Sequence, residues 1–430
     1  MMKLHRLFFI VLLFFLPTQL GIHFWPDWTI VLGRKVDYLS PTLFLTDIFL
    51  LGTLITWIFE ERPQFAIEKS KTKTSRLLFL IFTGLFVVGN IFLAKSPFVA
   101  VYKWVKVFEF IALGYYIVRS KPPFRYVFFP LFGAFLYTMI LAAGQLIFQQ
   151  SVGGLLWWLG ERTFSVDTPG IARIGFCFPF GDTGCFEILR PYATFPHPNV
   201  LGGFLAIVLL LFVGQLSSNP ILKAPNNKHV RSQIIQKIYY VVTAIGAVAL
   251  AWTFSRSALA AAIFAVGVLL IAKKIRRKVT VIFLFLLVLC FLVLFILIPF
   301  SMESESVTVR TQLVSASVQL WRESPIVGIG LGNFLVDLPN ALPSRSVYFL
   351  QPVHNIFLLI LTETGIIGLA VFLWGIYLLV RPIRLSRMVY QLPFFLLLIL
   401  GFVDHYALTL QQGQLLFTVF AGLSVLKFDS

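Results

Sequence analysis

Residues 354–380 read HNIFLLILTETGIIGLAVFLWGIYLLV. Past His354, these 27 residues hold one group charged at neutral pH, Glu363. A helix needs about 20 predominantly apolar residues to cross a bilayer, so the stretch predicts a membrane-spanning helix. Its carboxylate sits nine residues into that helix, and an ionisable group inside a membrane is a functional candidate by default.

Outward from it, comparable stretches recur at 7–22, 41–59, 77–95, 98–118, 126–149, 197–215, 238–254, 257–272, 279–299, 389–403 and 409–426. Together they predict an all-α polytopic membrane protein of about twelve helices, one membrane domain over residues 1–430. Composition agrees: 58% hydrophobic and 12% charged residues leave too little charge to coat a water-soluble globule. The start, MMKLHRLFFIVLLFFLPTQLG, resembles a signal peptide but lacks a small-x-small cleavage site, so it is expected to stay as the first helix.

The net charge of +17 invites a nucleic-acid partner. Its distribution argues against one. With the N-terminus inside, 23 of the 35 Lys and Arg fall in inner segments such as KTKTSR, KKIRRK and RPIRLSR, as the positive-inside rule requires. The expected location is therefore a cytoplasmic membrane, both termini inside. Three cysteines make no disulfide framework. Cys290 lies mid-span, while Cys177 and Cys185 share an outer loop as a disulfide or as two free thiols. With no CxxC, HExxH or carboxylate cluster, neither metal nor cofactor is expected.

Every connection looks short except 150–196 and 300–353. Long connections in compact proteins are usually functional or disordered, and these mix aromatics with Gly and Pro, which predicts order. Both are expected on the outer face and to contain short amphipathic helices. In the second, Leu313, Ala316, Val318, Leu320 and Trp321 recur at roughly helical spacing. GIGLG at 328–332 fits neither the dinucleotide nor the Walker pattern and reads as a tight turn.

The 12 basic residues left over are Arg34, Lys35, Lys95, Lys103, Lys106, Arg162, Arg173, Arg190, Arg256, Arg310, Arg322 and Arg345. They stand on the outer side against the topological bias, and charges kept where they are costly are candidates for function. Arg256, in ALAWTFSRSALAAAIF, tips an outward hairpin, either snorkelling or aiming a guanidinium at phosphate oxygens. Arg190 opens LRPYATFPHPNVLGGFLA, where Asn199 can cap the next helix and Gly202-Gly203 permits close helix approach. An Arg beside a helix N-terminus suits an anion. His354 stands where the second long loop re-enters the membrane, as general base or as cap, with Asn355 or Glu363 to orient it or the substrate. Lys103 and Lys106 share a face with Glu109 below; they pair with it or add positive potential to a cavity. Asp404-His405 is a second acid/base pair or a polar hairpin tip.

Three ordered patches, RPYATFPHPNVLGGFLA, WTFSRSALAA and the block from RESPIVGIGLGNF to VHNIFLLILTETGIIGLAVF, together resemble the O-antigen ligase and O-antigen polymerase family of bacterial surface polysaccharide assembly. The similarity covers about residues 185–380, and DHYALTLQQGQLLF looks similar too. The resemblance implies a GT-C-like membrane glycosyltransferase that takes glycan from undecaprenyl pyrophosphate at the outer face, without metal and with inversion. It carries the family's arginines over to Arg190 and Arg256 as pyrophosphate ligands and its histidine to His354 as base. His197 departs from the small or polar residue expected before Pro-Asn. A polymerase of the same family is the alternative. A transporter or flippase would instead show internal repeats and a charged path across the midplane, whereas the unusual charges here cluster at outer ends.

Overall fold

A computed structural model describes residues 2–63, 73–176, 186–218, 229–271, 304–342, 350–381 and 388–426. The expected span at 279–299, the three cysteines and Arg345 lie outside the described residues.

The described chain is mostly helical, as an all-α membrane protein requires. The helices are α1 (Leu4–Phe14), α2 (Leu45–Glu61), α3 (Lys73–Phe92), α4 (Pro97–Ser120), α5 (Arg125–Phe148), α6 (Pro198–Ser218), α7 (His229–Trp252) and α8 (Arg256–Ile271). After them come α9 (Ser304–Glu323), α10 (Phe334–Ala341), α11 (Ile356–Val380), α12 (Met388–Gly401), the single turn α13 (Tyr406–Thr409) and α14 (Gln411–Val425). By length and composition α5 and α11 can cross a bilayer, and six shorter apolar helices accompany them among the described residues.

The bundle is built around α6. Every residue from Val200 to Gly214 is buried, which fits a helix apolar on all sides and ringed by others. It packs against α7, α8 and α12. The outer helices show the reverse pattern: Phe92 and Ile147 are 80% and 74% exposed, and Ile111, Ile140 and Trp374 also face outward. An apolar exterior over an apolar interior is the pattern of a protein solvated by lipid.

Two connections depart from the sequence expectation. The segment between α1 and α2 is not short; it holds two antiparallel hairpins, β1 (Gly21–His23) with β4 (Thr42–Phe44), and β2 (Ile30–Val31) with β3 (Arg34–Lys35). The 150–196 loop carries a 3-10 turn at Gly154–Leu159 and the hairpin β5 (Arg173–Phe176) with β6 (Phe186–Leu189), where short amphipathic helices are expected. These strands are only two to four residues long, so their alternation is lost in an apolar, aromatic-rich background. The 300–353 loop does form helices. Leu313, Ala316 and Leu320 of α9 join Val31, Val36, Phe334 and Leu338 in a second core, separate from the bundle's.

The GIGLG segment is a backbone interlock. Gly328, Gly330 and Gly332 all take positive φ (78°, 101° and 76°), and so does Gly365 within α11 (66°). The Ile329 and Gly330 amides donate to the carbonyls of Thr362 and Glu363 at 3.1 Å each. Side chains would not fit: a Cβ on Gly328 would lie 2.3 Å from the Glu363 carbonyl carbon, and one on Gly365 2.2 Å from the Ile326 oxygen. Asn90 of α3 staples the two layers, donating to Val327 and Glu363 carbonyls and accepting from Leu331 N–H and Trp104 Nε1, all at 2.9 Å. The tight-turn reading of GIGLG agrees with this geometry.

Candidate active site

The turn from Arg190 to His197 is set by a buried amide. Gln145 of α5 accepts from the Tyr192 and Ala193 amides (2.9 and 2.7 Å) and donates to Glu161 (2.8 Å). Glu161 in turn accepts from Val152 and Gly153 N–H (2.7 and 2.8 Å). Two non-glycine residues with positive φ flank the region, Ala193 at 49° and Phe254 at 53°. For a residue as bulky as Phe this is a true outlier, held in place by its surroundings.

Out of this frame Arg190 reaches across to the Phe-Ser-Arg turn. Its Nε and Nη2 donate to the Thr253 carbonyl (3.1 and 3.0 Å), and Nη2 also donates to Asn199 Oδ1 (2.8 Å). The first two patches are therefore one structure. Gly202 completes the join, since a Cβ there would sit 2.9 Å from Ser255 Cβ and Thr253 Oγ1. Arg256 opens α8 three residues after the carbonyl that Arg190 holds.

Asn199 does not cap α6. That work falls to His197, whose Nδ1 accepts the Asn199 N–H at 3.1 Å. A ring nitrogen that accepts a backbone N–H carries no proton, so the His197 proton sits on Nε2.

The third patch brings His354 to the same place, together with Asp404-His405 from the last turn. The His354 and His405 rings meet edge to face at 5.0 Å. Donor atoms of His354, Asp404 and His405 all lie within 4.8 Å of one another. Asp404 Oδ1 accepts the His405 N–H at 2.8 Å, and Tyr38 packs its ring on His405 at 5.6 Å. The Tyr406 hydroxyl packs so closely on α6 that only a glycine, Gly203, fits opposite it. Asp404-His405 is thus no free hairpin tip, and His405 meets the His354 ring across 51 residues of sequence.

Arg310 is one of the 12 outer cations, with no role of its own assigned from the sequence. Ser317 of α9 meets Thr362 of α11 hydroxyl to hydroxyl at 2.5 Å. Arg310 lies seven residues before Ser317 and His354 eight before Thr362. Seven residues is close to two turns, which puts Arg310 on the face of α9 that Ser317 turns to α11. Electrostatics agree. Burial, then the His405, Asp404 and Arg310 charges, set the His354 pKa, and the net result is a drop to about 4. Burial and Arg310 take His405 down to about 3. His197 stands exposed just ahead of α6, and desolvation, then the Arg190, His354, His405 and Arg310 charges, lower its pKa. Burial holds Asp404 above the usual carboxylate value, with His354 and Arg310 working the other way. His354 and His405 are therefore neutral at neutral pH in the field of the Arg310 guanidinium.

The remaining sequence candidates make contacts within the scaffold or line a cavity. Asn355 caps α11, accepting the Leu358 N–H at 2.9 Å. Buried Glu363 accepts the Phe334 N–H at 3.2 Å and so caps α10. Lys106 is buried in ion pairs with Asp47 (2.6 Å) and Glu109 (3.0 Å), and Gln411 closes the network on Asp47. Its charge is spent between α2, α4 and α14. Lys103, one turn earlier, does line a cavity of about 660 Å³ between α3, α4, α11 and α14, whose walls also include Phe86, Trp104, Glu363 and Phe417. Tyr38 and Thr409 line it too, and both touch His405, so the cavity adjoins the cluster.

Residues 241–373 match the family model described as O-antigen ligase. No curated protein matches the chain. In general terms the family implies a membrane enzyme that joins a lipid-linked glycan to an acceptor. The matched segment includes Thr253, Arg256, Arg310, the GIGLG turn and His354, and so spans the second and third of the ordered patches that resemble that family.

Proposed function

We propose that the chain transfers a glycan from undecaprenyl pyrophosphate to an acceptor hydroxyl, at the outer face of a bacterial cytoplasmic membrane, in a GT-C-like bundle of about twelve helices. One observation carries the reading: a neutral, partly buried histidine stands in the field of the Arg310 guanidinium and against His405, whose neighbours Tyr38 and Thr409 line an apolar cavity. Such a site binds a pyrophosphate through its cations while keeping a base unprotonated beside it.

His354 takes the proton of the acceptor hydroxyl. The oxygen attacks the anomeric carbon, the bond from that carbon to the pyrophosphate oxygen breaks, and the configuration inverts. Negative charge grows on the leaving pyrophosphate, where Arg190, Arg256 and Arg310 stabilise it. Asp404 stabilises the imidazolium that forms on His354, as its opposing charge already does in part. Asn199 orients Arg190, and Lys103 adds positive potential where the lipid tail leaves for the cavity. Asn355 and Glu363 act by holding α10 and α11 in register, and Lys106 by joining α2, α4 and α14. No step needs a metal.

The test is transfer from purified donor in proteoliposomes containing EDTA, for wild type and His354→Ala. Transfer by wild type that collapses in the variant supports the reading. Equal transfer by both moves the base elsewhere, and donor binding without transfer to any acceptor returns the chain to the transporter class. A lipid-linked glycan that serves as acceptor would make the chain a polymerase.

A further inference from the structure

We infer that His354, Asp404 and His405 form a binding site for a first-row transition-metal dication of the zinc type, whose occupation withdraws His354 from transfer. The inhibition rests on the base assignment above; the binding does not.

Two imidazoles and one carboxylate make a donor set that suits zinc, cobalt, nickel or copper rather than magnesium or calcium, which want several oxygens. The rings are prepared for it. Thr409 Oγ1 lies 2.6 Å from His405 Nδ1 and 3.1 Å from the His405 carbonyl; with its one proton given to the carbonyl, it receives from Nδ1–H, and this is the tautomer a metal on Nε2 selects. That leaves Nε2 of His405 as a lone pair and fixes the ring, the outer support a metal-binding histidine ordinarily has. His354 Nδ1 is buried with no hydrogen-bond partner. Asp404 is held by the backbone N–H groups of His405 (2.8 Å to Oδ1) and Tyr406, and two hydrogen bonds leave lone pairs of its carboxylate to serve a metal.

The donor atoms lie within 4.8 Å of one another. Ligand bonds of about 2.0–2.2 Å at tetrahedral angles bring donors to roughly 3.3 Å apart. Rotation of the His354 ring, whose Nδ1 breaks no hydrogen bond, narrows that gap. Three protein ligands leave a position open, the arrangement of a reactive rather than a closed structural site. Arg310 opposes any cation here, so binding rests on nitrogen donation, and oxygen-seeking dications are turned away.

The metal also takes up a lone pair that proton abstraction requires. Reversible block of transfer is the consequence, with the chelated enzyme as the active form.

The experiment uses the full chain in detergent, stripped with chelator, then titrated with cobalt(II) while its visible ligand-field bands are followed, with zinc displacing the cobalt. The expected result is one equivalent bound. Binding should be lost in His405→Ala and Asp404→Asn, kept in His197→Ala, and weakened about 10- to 100-fold in Thr409→Val, which removes only the outer support. Size-exclusion profiles confirm that each variant is folded. Absence of bands in the wild type, or binding that His405→Ala leaves intact, overturns the site. In the transfer assay zinc should inhibit and EDTA should restore. Binding without inhibition keeps the metal site and refutes the base; inhibition that Asp404→Asn and His405→Ala do not relieve refutes the site.

Discussion

The interlock around Glu363 lies within α11 and the cluster around His354 just ahead of its start, and both come from patches that the sequence marks as unusual. They differ in how their polar groups end up. In the interlock the exceptional residues are closed on one another: Glu363 caps Phe334, Asn90 makes four hydrogen bonds, and Asn333 exchanges hydrogen bonds with the Ser96 backbone (2.7 and 3.3 Å). In the cluster, His354 Nδ1 and the Tyr406 hydroxyl are buried without hydrogen-bond partners, and cations stand beside neutral imidazoles. A buried network that is fully satisfied specifies structure, whereas one left open is a place for something else to bind.

The largest effect should separate the two at once. His354→Ala is expected to lower transfer by about 10²–10⁴-fold, the worth of a general base, with an unchanged size-exclusion profile. The wild-type pH profile sharpens the same point. The base works deprotonated, and its pKa is lowered from 6.5 to about 4. The acid limb of kcat/KM, which reports the free enzyme, should therefore fall near pH 4 and not near 6.5. A limb at 6.5 would mean that Arg310 and burial do not act on the base as the geometry says.

Arg190→Ala comes next, at about 10²–10³-fold in kcat if the guanidinium meets growing charge on the leaving group. Since Arg190 also ties Thr253 to Asn199, loss of its hydrogen bonds alone is a rival cause. Arg190→Lys separates them, because it keeps the charge and gives up the fork. Recovery of most of the rate by Lys would assign the effect to charge.

Gly365→Ala strikes the other region. Its φ of 66° and ψ of −170° lie where essentially only glycine is found, at about 1–3 kcal/mol for other residues, and the Ile326 oxygen stands where the new Cβ must go. Together with a packing clash of about 1–3 kcal/mol, the variant should lose roughly 3 kcal/mol of stability, read as a lowered midpoint in thermal or denaturant unfolding. Activity per folded molecule should hardly move.

What the sequence shows of this molecule follows from the range of each signal. Helices of apolar composition are local, and 98–118 and 354–380 correspond to α4 and α11 within a few residues. Arg190, Arg256 and His354 stood out because a cation or imidazole at the end of an apolar run is also a local oddity. Arg310 did not, since it lies on an ordinary polar helix and gains its meaning from the Ser317–Thr362 contact. His405 looked like a tip because nothing nearby reveals that His354 is its neighbour. Lys106 and Glu363 show the reverse: each is a charge in an apolar stretch, and the partners it meets, Asp47 and the Phe334 amide, are 59 and 29 residues away.

Glu363 offers the smallest expected effect and the finest division between the two regions. If its carboxylate only caps α10, Glu363→Gln keeps an acceptor for the Phe334 N–H and exchanges a charge-assisted hydrogen bond for a neutral one, a loss of about 1 kcal/mol. Glu363→Ala leaves that N–H unpaired, at about 1–3 kcal/mol. Both variants should transfer glycan at nearly the wild-type rate once corrected for folded protein, with Ala the less stable. The opposite pattern is as informative, because Glu363 lines the cavity with Lys103. A Gln variant of native stability whose rate has fallen a hundredfold would show that the carboxylate acts in the reaction, and the interlock would then belong to the active site rather than beneath it.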